Sequence, residues 1–378
     1  RLKHMKKNPL KVHIAPDKFK GSLSAKEVCE AIASGLNQKE ESLEIIFHPM
    51  ADGGDDSLTI LADHLALEEV IVDSQDPLGR TITTKYFTSN DAAFIEVASA
   101  SGLVLLAESE RNPLHTSTLG TGMIILDAIS KGHQNIYLFL GGSATNDTGM
   151  GIAQALGFSF LDKENNILTP VGGNLSKVVS IKNNNLFDFN EIKISVFYDV
   201  LNPLYGKNGA AYIYAPQKGG TAEEVQYLDS GLINFSTVLL QHTNIDVSTI
   251  AGGGSAGGIG AGLVALCGAR MGKGFELIAE ITNLEERIKQ SDWVISGEGR
   301  LDEQSLQGKV IDGIASLCKK HQKPLSLLVG KNDLSGKELL SLNVNQVSSI
   351  SAIAKNQEDA MLNGSVYLEA LAKELLLS

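Results

Sequence analysis

The chain has 378 residues, which favours two domains because single hydrophobic cores stop growing near ~250–300 residues. Its 32 Lys and Arg against 44 Asp and Glu give a net charge of −12, which argues against a nucleic-acid or anionic-membrane partner. No apolar run approaches the ~18–20 residues of a membrane span. Three widely spaced cysteines fit a reduced compartment, so we expect a cytoplasmic globular protein.

The first part of the chain shows alternating strand and helix patterns. Residues 11–15 form a short apolar run that predicts a strand, and Ser24 with Glu27 three positions later matches a capping box at the start of a helix. A second strand is predicted at 43–47 and a second helix at 58–64. This alternation indicates a parallel α/β sheet.

The middle of the chain has a different pattern. Alternating segments between residues 71 and 94, separated by hairpin-like turns, predict antiparallel strands. A helix is predicted at 120–130, and buried strands are predicted at 136–140 and 192–198, the second of which ends at Asp199. These elements indicate a second, mixed α/β region.

The last third returns to the α/β pattern, with buried strands predicted at 293–296, 325–329 and 347–354. The most economical architecture is α/β with two domains. A Rossmann- or flavodoxin-like parallel-sheet domain is built from both chain ends, and a second, mixed α/β domain is inserted into it. The expected limits are 5–70 plus 285–378 for the first domain and 71–284 for the second.

A glycine run lies at residues 252–262, where seven of eleven positions are glycine, and a helix-like stretch follows at 263–272. Glycine lets backbone N–H groups approach a ligand closely, and a helix N-terminus adds unpaired donors and a positive dipole end. The run therefore favours phosphate binding, although glycine-rich turns also occur for purely structural reasons.

Four more polar, glycine-bearing segments follow predicted strands, where open α/β sheets place their ligands: 16–25, 50–56, 141–151 and 296–309. Phosphoryl transfer needs positioned phosphates, a divalent ion, a cation and a carboxylate near the acceptor. No Walker A motif occurs, and no strand-linked G-x-G-x-x-G supports dinucleotide binding. The segments and the strand end at 199 supply cations at Lys18, Lys20, Arg300 and Lys309, and carboxylates at Asp52, Asp55, Asp147, Asp199 and Asp302.

These residues also have structural interpretations. Asp17 and Asp52 are of a type common in loops and caps. Asn146 and Asp147 can simply close a turn. Arg111, in the segment RNPLHTST, is a candidate clamp for a substrate carboxylate. The eight histidines do not cluster along the sequence and receive no catalytic or ligand role.

Six segments together resemble the bacterial glycerate kinase family, the ATP-dependent enzymes that phosphorylate D-glycerate. They occur in the family's order over about residues 11–370: APDKFKGSLSA, MADGGDD, RNPL, GGSATND, GGGSAGGIGAGL and GEGRLDEQSLQGK. The resemblance implies two α/β domains with an active site in the cleft between them, ATP with Mg²⁺, and D-glycerate as the acceptor. It favours 2-phosphoglycerate over 3-phosphoglycerate as the product.

Four positions depart from the family's usual residues. Lys18 stands where Ser is usual, and Ile311 where Pro is usual. Asp56 and Thr148 stand where Gly is usual. No departure removes the acidic or glycine core of a motif. Lys18 is consequently a weaker candidate than Lys20, and the loop at 50–56 is expected to bind metal or substrate somewhat differently.

The resulting hypothesis is direct in-line transfer of the ATP γ-phosphoryl group to the C2 hydroxyl of D-glycerate. The expected catalytic residues are Asp199, Asp302, Lys309 and Arg300. Nucleotide phosphates are assigned to Gly252, Gly253, Gly254, Ser255, Gly257, Gly258, Gly141, Gly142 and Ser143. Substrate contacts are assigned to Asp17, Lys20, Asp52, Arg111, Asn146 and Asp147, and Mg²⁺ to Asp52 and Asp302.

Alternatives remain open from the sequence. The chain could be a glycerate 3-kinase or a kinase of another small hydroxy acid on the same scaffold. An alternative of another class is a non-catalytic sensor of glycerate or nucleotide, although no basic helix-turn-helix segment is apparent. We expect a monomer or homodimer with small-molecule substrates and no nucleic-acid or membrane partner.

Overall fold

The computed structural model describes residues 9–39, 42–52, 57–198, 200–306 and 308–376. The described strands are β1 (Leu10–Ile14), β2 (Leu43–Phe47), β3 (Glu68–Gln75), β4 (Thr81–Ser89), β5 (Ala92–Glu96), β6 (Asn135–Phe139), β7 (Phe158–Leu161), β8 (Ser180–Asn183), β9 (Lys193–Tyr198), β10 (Arg270–Lys273), β11 (Trp293–Ser296), β12 (Arg300–Leu301), β13 (Leu325–Val329), β14 (Lys331–Asn332) and β15 (Gln346–Ser349). The described helices are α1 (Ala25–Leu36), α2 (Ser57–His64), α3 (Ala98–Ser101), α4 (Leu119–Ser130), α5 (Met150–Ala155), α6 (Ala210–Tyr214), α7 (Ala222–Thr243), α8 (Ile259–Cys267), α9 (Gly274–Ile281), α10 (Leu284–Lys289), α11 (Val310–Lys320), α12 (Gly336–Ser341), α13 (Gln357–Leu362) and α14 (Gly364–Glu374).

The chain divides into two compact units. Unit 1 comprises the described residues up to His64 together with those from Lys273 onward, and unit 2 is Leu65–Gly272. The domain limits expected from the sequence were near residues 70 and 285. Each unit is described below by itself.

Unit 1 contains a five-stranded sheet in the order β15-β13-β11-β1-β2, and its four neighbouring pairs are all parallel. Counted along this unit, the order is 2-1-3-4-5, which is the flavodoxin-like doubly wound order. The order reverses between β1 and β11, and such a switch point is where open parallel sheets bind their ligands. The predicted flavodoxin-like sheet built from both chain ends is therefore confirmed.

Apolar residues of the sheet and of α1 form the core of unit 1. Ile14 of β1 and Trp293 of β11 are buried in it with the apolar face of α1. The predicted capping box at the start of α1 is confirmed, since Ser24 Oγ accepts from the Glu27 N–H (3.3 Å) and Glu27 Oε2 accepts from the Ser24 N–H (2.8 Å). This cap fixes where the loop after β1 ends and the helix begins.

Unit 2 contains a six-stranded mixed sheet in the order β10-β9-β6-β5-β4-β3. The pairs β3–β4 and β4–β5 are antiparallel, as the alternating pattern at 71–94 predicted, whereas β5–β6 and β6–β9 are parallel. Helices α4, α5, α7 and α8 contribute apolar side chains to one large core with this sheet. The carboxyl ends of β6 and β9 lead into the polar segments that carry the unit's candidate site residues.

Two predicted elements differ in extent. The helix expected at 263–272 begins at Ile259, inside the glycine run, and ends at Cys267, because Gly268 adopts a φ of +64° that terminates it. The strand expected at 347–354 ends at Ser349, and a 3₁₀ turn follows over Ile350–Ala352. Among the described residues, no helix combines the length and apolarity that crossing a bilayer requires.

Candidate active site

Two loops of unit 1 meet at the switch point of the parallel sheet. The loop after β1 carries Asp17, and the loop after β11 carries Glu298. The Asp17 N–H donates to the Gly297 carbonyl at 2.8 Å. A Cβ at Gly299 would lie 3.2 Å from the backbone nitrogen of Lys20, so the two backbones run side by side. The fold thus brings the predicted substrate residues Asp17 and Lys20 to the segment around Glu298.

Asp17 and Glu298 are carboxyl groups that are hard to ionise. Burial, followed by the negative charge of Asp52, raises the pKa of Asp17 to about 7. Burial likewise raises the pKa of Glu298 to about 7, and the charges of Asp17 and Asp302 act in the same direction. Glu298 is only 8% exposed, and its Oε1 is buried without a hydrogen-bond partner. A carboxyl group with a pKa near neutrality can exchange a proton with a ligand hydroxyl at physiological pH.

A third loop brings an ion pair to this edge of the sheet. The Met50 N–H donates to the Pro16 carbonyl at 2.9 Å, which ties the loop after β2 to the loop after β1. Asp52 Oδ2 then lies 3.6 Å from Lys309 Nζ. Lys309 precedes the first turn of α11, and its charge lowers the pKa of Asp17 and of Glu298. One ammonium group therefore acts on three carboxyl groups.

Arg300 and Asp302 lie on the same loop but have other close partners. Arg300 Nε is 2.6 Å from Asp333 Oδ2 and 3.6 Å from Asp302 Oδ2. Asp302 itself closes a turn, since its Oδ1 accepts from the Gln304 N–H (2.9 Å) and its own N–H donates to Ser305 Oγ (3.0 Å). The pairing of β12 with β14 places Arg300 opposite Lys331 and so beside Asp333, a carboxylate that sequence analysis did not select.

The predicted catalytic residue Asp199 lies outside the described residues, and so do Asp55 and Asp56 of the second loop. Their roles stay predictions.

Lys20 is exposed. The loops that follow β1, β2 and β11 in unit 1 carry six of the residues predicted from the sequence: Asp17, Lys20, Asp52, Asp302, Arg300 and Lys309.

The glycine run of unit 2 packs tightly against the protein's own backbone. A Cβ at Gly257 would overlap the Thr145 carbonyl, and one at Gly262 would overlap the Thr148 carbonyl. The Thr148 N–H also donates to the Gly257 carbonyl at 3.0 Å. Four backbone N–H groups of the run already donate to backbone carbonyls at 2.9–3.0 Å: Gly253 to Ile250, Gly254 to Asn202, Ser255 to Gly252, and Gly258 to Ser255. A phosphate would need other donors of this run, and its nucleotide role stays a prediction.

The run packs against the loop at 141–148, which follows β6. Asp147 is fully buried there, and its Oδ2 accepts from the N–H and hydroxyl of Thr118 (both 2.8 Å) and from the Gly151 N–H (3.2 Å). Its Oδ1 accepts from the Gly149 N–H at 3.1 Å. Burial raises the pKa of Asp147, and these hydrogen bonds act in the opposite direction. Asp147 was predicted to contact substrate, but its oxygens hold the loop on α4 and α5.

Other polar groups of the same loop have no partner. Asn146 is fully buried, and neither Oδ1 nor Nδ2 of its amide is hydrogen-bonded. Thr145 Oγ1 and Thr148 Oγ1 are also buried without partners. Thr148 has a φ of +53°, the left-handed region that a β-branched residue adopts only under strain. Unsatisfied polar atoms and backbone strain in one loop are typical of a functional site.

Arg111 lies in unit 2, where its carbonyl packs against Gly219 so closely that a Cβ at Gly219 would overlap it. Its Nε is buried without a hydrogen-bond partner. Such a donor can bind a carboxylate or phosphate oxygen. Its predicted role as a substrate clamp stays a prediction.

Three histidines that are far apart in the sequence lie close together in the structure. His13, His48 and His64 form a group in unit 1, with ring centroids 5.0 Å apart for His13 and His48 and 4.3 Å apart for His48 and His64. Parallel pairing of β1 with β2 places His13 near the end of β2, which His48 follows. Among the described residues, no group of three or more His, Cys, Asp or Glu side chains is arranged to hold a metal ion.

The whole chain, with its flavodoxin-like sheet and polar loops, is similar to known proteins. The model of the glycerate kinase family matches residues 12–377 of the chain. The chain belongs to this family. It is 37% identical over 365 residues to a glycerate kinase of Halalkalibacterium halodurans, with 96% of each chain covered. It is 40% identical over 324 residues to a glycerate 2-kinase of Escherichia coli, with 85% of each chain covered.

A solved structure described as that of a glycerate kinase 2 from Salmonella typhimurium LT2 superimposes with a TM-score of 0.82. The two chains share 36% sequence identity, and 97% of each is covered. The architecture described above is therefore that of the glycerate kinase family.

Two residues of interest in this glycerate kinase family member were missed from the sequence. Glu298 lies inside the segment GEGRLDEQSLQGK, and its position between two glycines after a buried strand could have singled it out. Lys218 lies in the segment APQKGG, where nothing in the sequence distinguishes it from an exposed lysine. Only its burial in the structure reveals it.

Proposed function

We propose that this member of the glycerate kinase family transfers the γ-phosphoryl group of ATP to the C2 hydroxyl of D-glycerate, giving 2-phosphoglycerate and ADP. Family membership and the names of the relatives support a glycerate kinase, and the relative from Escherichia coli is called a glycerate 2-kinase. The observation that carries the proposal is the group at the switch point of unit 1, where Lys309 lies beside Asp52 and two carboxyl groups have pKa values near 7.

Each charge in this group suits a different part of phosphoryl transfer. Lys309 is the cation that stabilises negative charge on the transferred group, since its ammonium already acts on three carboxyl groups of the loops. Glu298 is the candidate acceptor of the hydroxyl proton, because its Oε1 has no partner and its pKa lies near neutrality. Asp17 lowers the tendency of Glu298 to ionise and so helps to set that pKa.

The carboxylates of the group fit Mg²⁺ in the way nucleotide enzymes use it. Mg²⁺ takes one or two protein carboxylates and completes its coordination with phosphate oxygens and water, so a cage of three side chains is not required. Asp52 and Asp302 would hold it, in line with their predicted role. When bound, Mg²⁺ neutralises charge on the ATP phosphates. ATP itself follows from membership in a kinase family.

Unit 2 carries other residues that the sequence predicts to bind ligands. The glycine run together with Gly141, Gly142 and Ser143 is proposed for nucleotide phosphates, and Asn146 for substrate, because its buried amide offers one free donor group and one free acceptor. Lys20 and Arg111 are the candidates for the glycerate carboxylate. Asp147 is proposed as a support of the loop rather than a ligand contact, since four hydrogen bonds occupy its oxygens. Cytoplasmic location and a monomeric or homodimeric state stay predictions.

The proposal is tested by mixing the purified protein with ATP, MgCl₂ and D-glycerate and following ADP release. L-Glycerate and C4–C6 sugar acids are assayed in parallel to define the acceptor. ³¹P NMR of the product then distinguishes 2-phosphoglycerate from 3-phosphoglycerate. ADP release with D-glycerate and a C2 phosphate ester supports the proposal. A C3 ester, a strong preference for another hydroxy acid, or no ADP release would each overturn it.

A further inference from the structure

Lys218 of unit 2 is a buried lysine. It ends a 3₁₀ turn, Pro216–Lys218, and is only 2% exposed. Its Nζ donates to Ser143 Oγ at 2.9 Å and to the Thr145 carbonyl at 2.6 Å. One ammonium group therefore joins two points of the loop at 141–148. Lysine is almost never fully buried without a specific partner, so these contacts require an explanation.

The backbone around Lys218 holds the side chain in place. Gly219 follows it with a φ of +91° and lies so close to the Arg111 carbonyl that a Cβ would overlap it. Only glycine fits this position without strain. The turn is consequently fixed against the segment that carries Arg111, and Lys218 projects from a rigid base.

A second buried charge holds the same loop at its other end. Asp147 is bonded to Thr118, Gly149 and Gly151, and its negative charge favours the protonated form of Lys218. Burial alone would lower the pKa of Lys218, and the balance leaves it at about 7. The loop is thus held by a buried cation at Ser143 and Thr145 and by a buried carboxylate at Asp147.

The contact with Lys218 decides what the Ser143 hydroxyl can do. In its protonated form the Lys218 ammonium group has no lone pair, so Ser143 Oγ then accepts from it, and the hydroxyl hydrogen is left to donate to another group. A hydrogen bond from a charged donor also polarises the hydroxyl and strengthens its own donation. Ser143 itself is only 6% exposed, but it follows Gly141 and Gly142, which are both exposed, so a ligand can approach the loop at the side where Ser143 lies.

We propose that Lys218 is a positioning residue that fixes the loop at 141–148 and orients the Ser143 hydroxyl to donate to an oxyanion. This inference rests on the proposed function, which assigns Ser143 to a phosphate group of ATP; the carboxylate of glycerate is the other oxyanion, and the kinetic test below distinguishes the two. Lys218 itself does not contact the reacting atoms. Its effect is carried by Ser143 and by the Thr145 carbonyl.

The test compares Lys218→Met, which keeps the length of the side chain and removes its charge, with Lys177→Met. Lys177 is an exposed lysine of unit 2 whose Nζ contacts Asn174 Oδ1 at 3.0 Å, so it controls for the loss of one lysine. Hydrogen exchange of the peptide covering residues 141–151 measures the loop directly. We expect exchange about tenfold faster in Lys218→Met, since a loss of 1.4 kcal/mol is tenfold, and no change in Lys177→Met.

Steady-state kinetics provide the second measurement. Ser143→Ala and Lys218→Met should each raise the KM of the same substrate about 10- to 100-fold. Ser143→Ala removes the hydroxyl that donates to the oxyanion, and Lys218→Met removes the ammonium group that orients and polarises this hydroxyl. A rise in the KM for ATP identifies a phosphate, and a rise in the KM for glycerate identifies the carboxylate. The double variant should be no worse than the worse single variant, because Lys218 acts through Ser143.

Unchanged exchange of the 141–151 peptide in folded Lys218→Met would overturn the proposal, as would additive effects of the two substitutions. If Lys218→Met does not fold, Ser143→Ala decides, since an unchanged KM for both substrates contradicts the role of its hydroxyl. A wild-type protein that releases no ADP would instead refute the proposed function, and the exchange measurement would still decide the role of Lys218.

Discussion

The buried histidine cluster of unit 1 predicts that acid destabilises this unit through His13. The side chain of His13 is fully buried, and neither ring nitrogen has a hydrogen-bond partner. Burial, followed by the positive charges of Arg287 and His64, lowers its pKa from 6.5 to about 4. Burial and the same neighbours lower the pKa of His48 to about 2, although its Nε2 lies 2.8 Å from Thr282 Oγ1.

The sign and size of the effect follow from these values. A lowered pKa means that the unfolded chain binds more protons than the folded one between pH 6.5 and about 4. Stability is therefore complete above pH 6.5 and is lost progressively down to about pH 4. At about pH 5 the loss from His13 alone is roughly 2 kcal/mol, since about 1.5 pH units below 6.5 cost 1.36 kcal/mol each.

Two carboxyl groups of the same unit act in the opposite direction. The pKa values of Asp17 and Glu298 are raised to about 7, so the folded state binds more protons than the unfolded state below that pH. Their contribution to stability increases as the pH falls. The wild-type curve therefore mixes both effects, and only a comparison with a variant lacking the histidine isolates its contribution.

The perturbation is His13→Leu, which fills a similar space without polar atoms. Urea unfolding is followed by the fluorescence of Trp293, the sole tryptophan, which is 3% exposed in β11 beside β1 and so reports on unit 1. From about pH 7.5 to about pH 5, the wild type should lose roughly 2 kcal/mol relative to the variant. His242→Leu, at an exposed position of α7, serves as the control and should follow the wild type. Equal losses in the wild type and in His13→Leu would refute the reasoning.

Three further substitutions test other parts of the structure. Asp147→Asn should lower the free energy of unfolding by about 3 kcal/mol, because an amide nitrogen cannot accept the hydrogen bonds from Thr118 and the loop, and thermal denaturation measures this loss. Thr148→Gly should unfold at a higher temperature than Thr148→Ala, by the equivalent of about 1 kcal/mol, because both remove the same buried hydroxyl and methyl groups and only glycine relieves a φ of +53°; an equal or lower midpoint for Thr148→Gly would contradict the assigned strain. Lys309→Met should reduce kcat about 100-fold or more, because it removes the cation beside Asp52, and turnover near the wild-type rate would exclude its proposed role.

The local elements of this fold could be predicted from the sequence. The strands at 43–47, 293–296 and 325–329 and the capping box of α1 all lie where the pattern placed them. Such features depend on residues close in the chain, such as the hydroxyl of Ser24 and the carboxylate of Glu27 three positions later. Glycine-rich segments after strands also indicated a ligand site, and the family resemblance identified the chemistry.

Other features depend on groups far apart in the chain. His13, His48 and His64 meet only because β1 and β2 pair in parallel, and Lys218 reaches Ser143 across 75 positions of sequence. The glycine run at 252–262 was expected to serve a phosphate, yet several of its glycines allow close packing against the loop at 141–148.

The sequence by itself determined where strands, caps and glycine loops occur and which family they belong to, because these are properties of short segments. The tertiary structure alone decided which side chains are buried together. Burial sets the pKa of Glu298 and of Lys218, and it leaves the Asn146 amide unpaired. Desolvation depends on every surrounding element, and no local pattern in the chain encodes it.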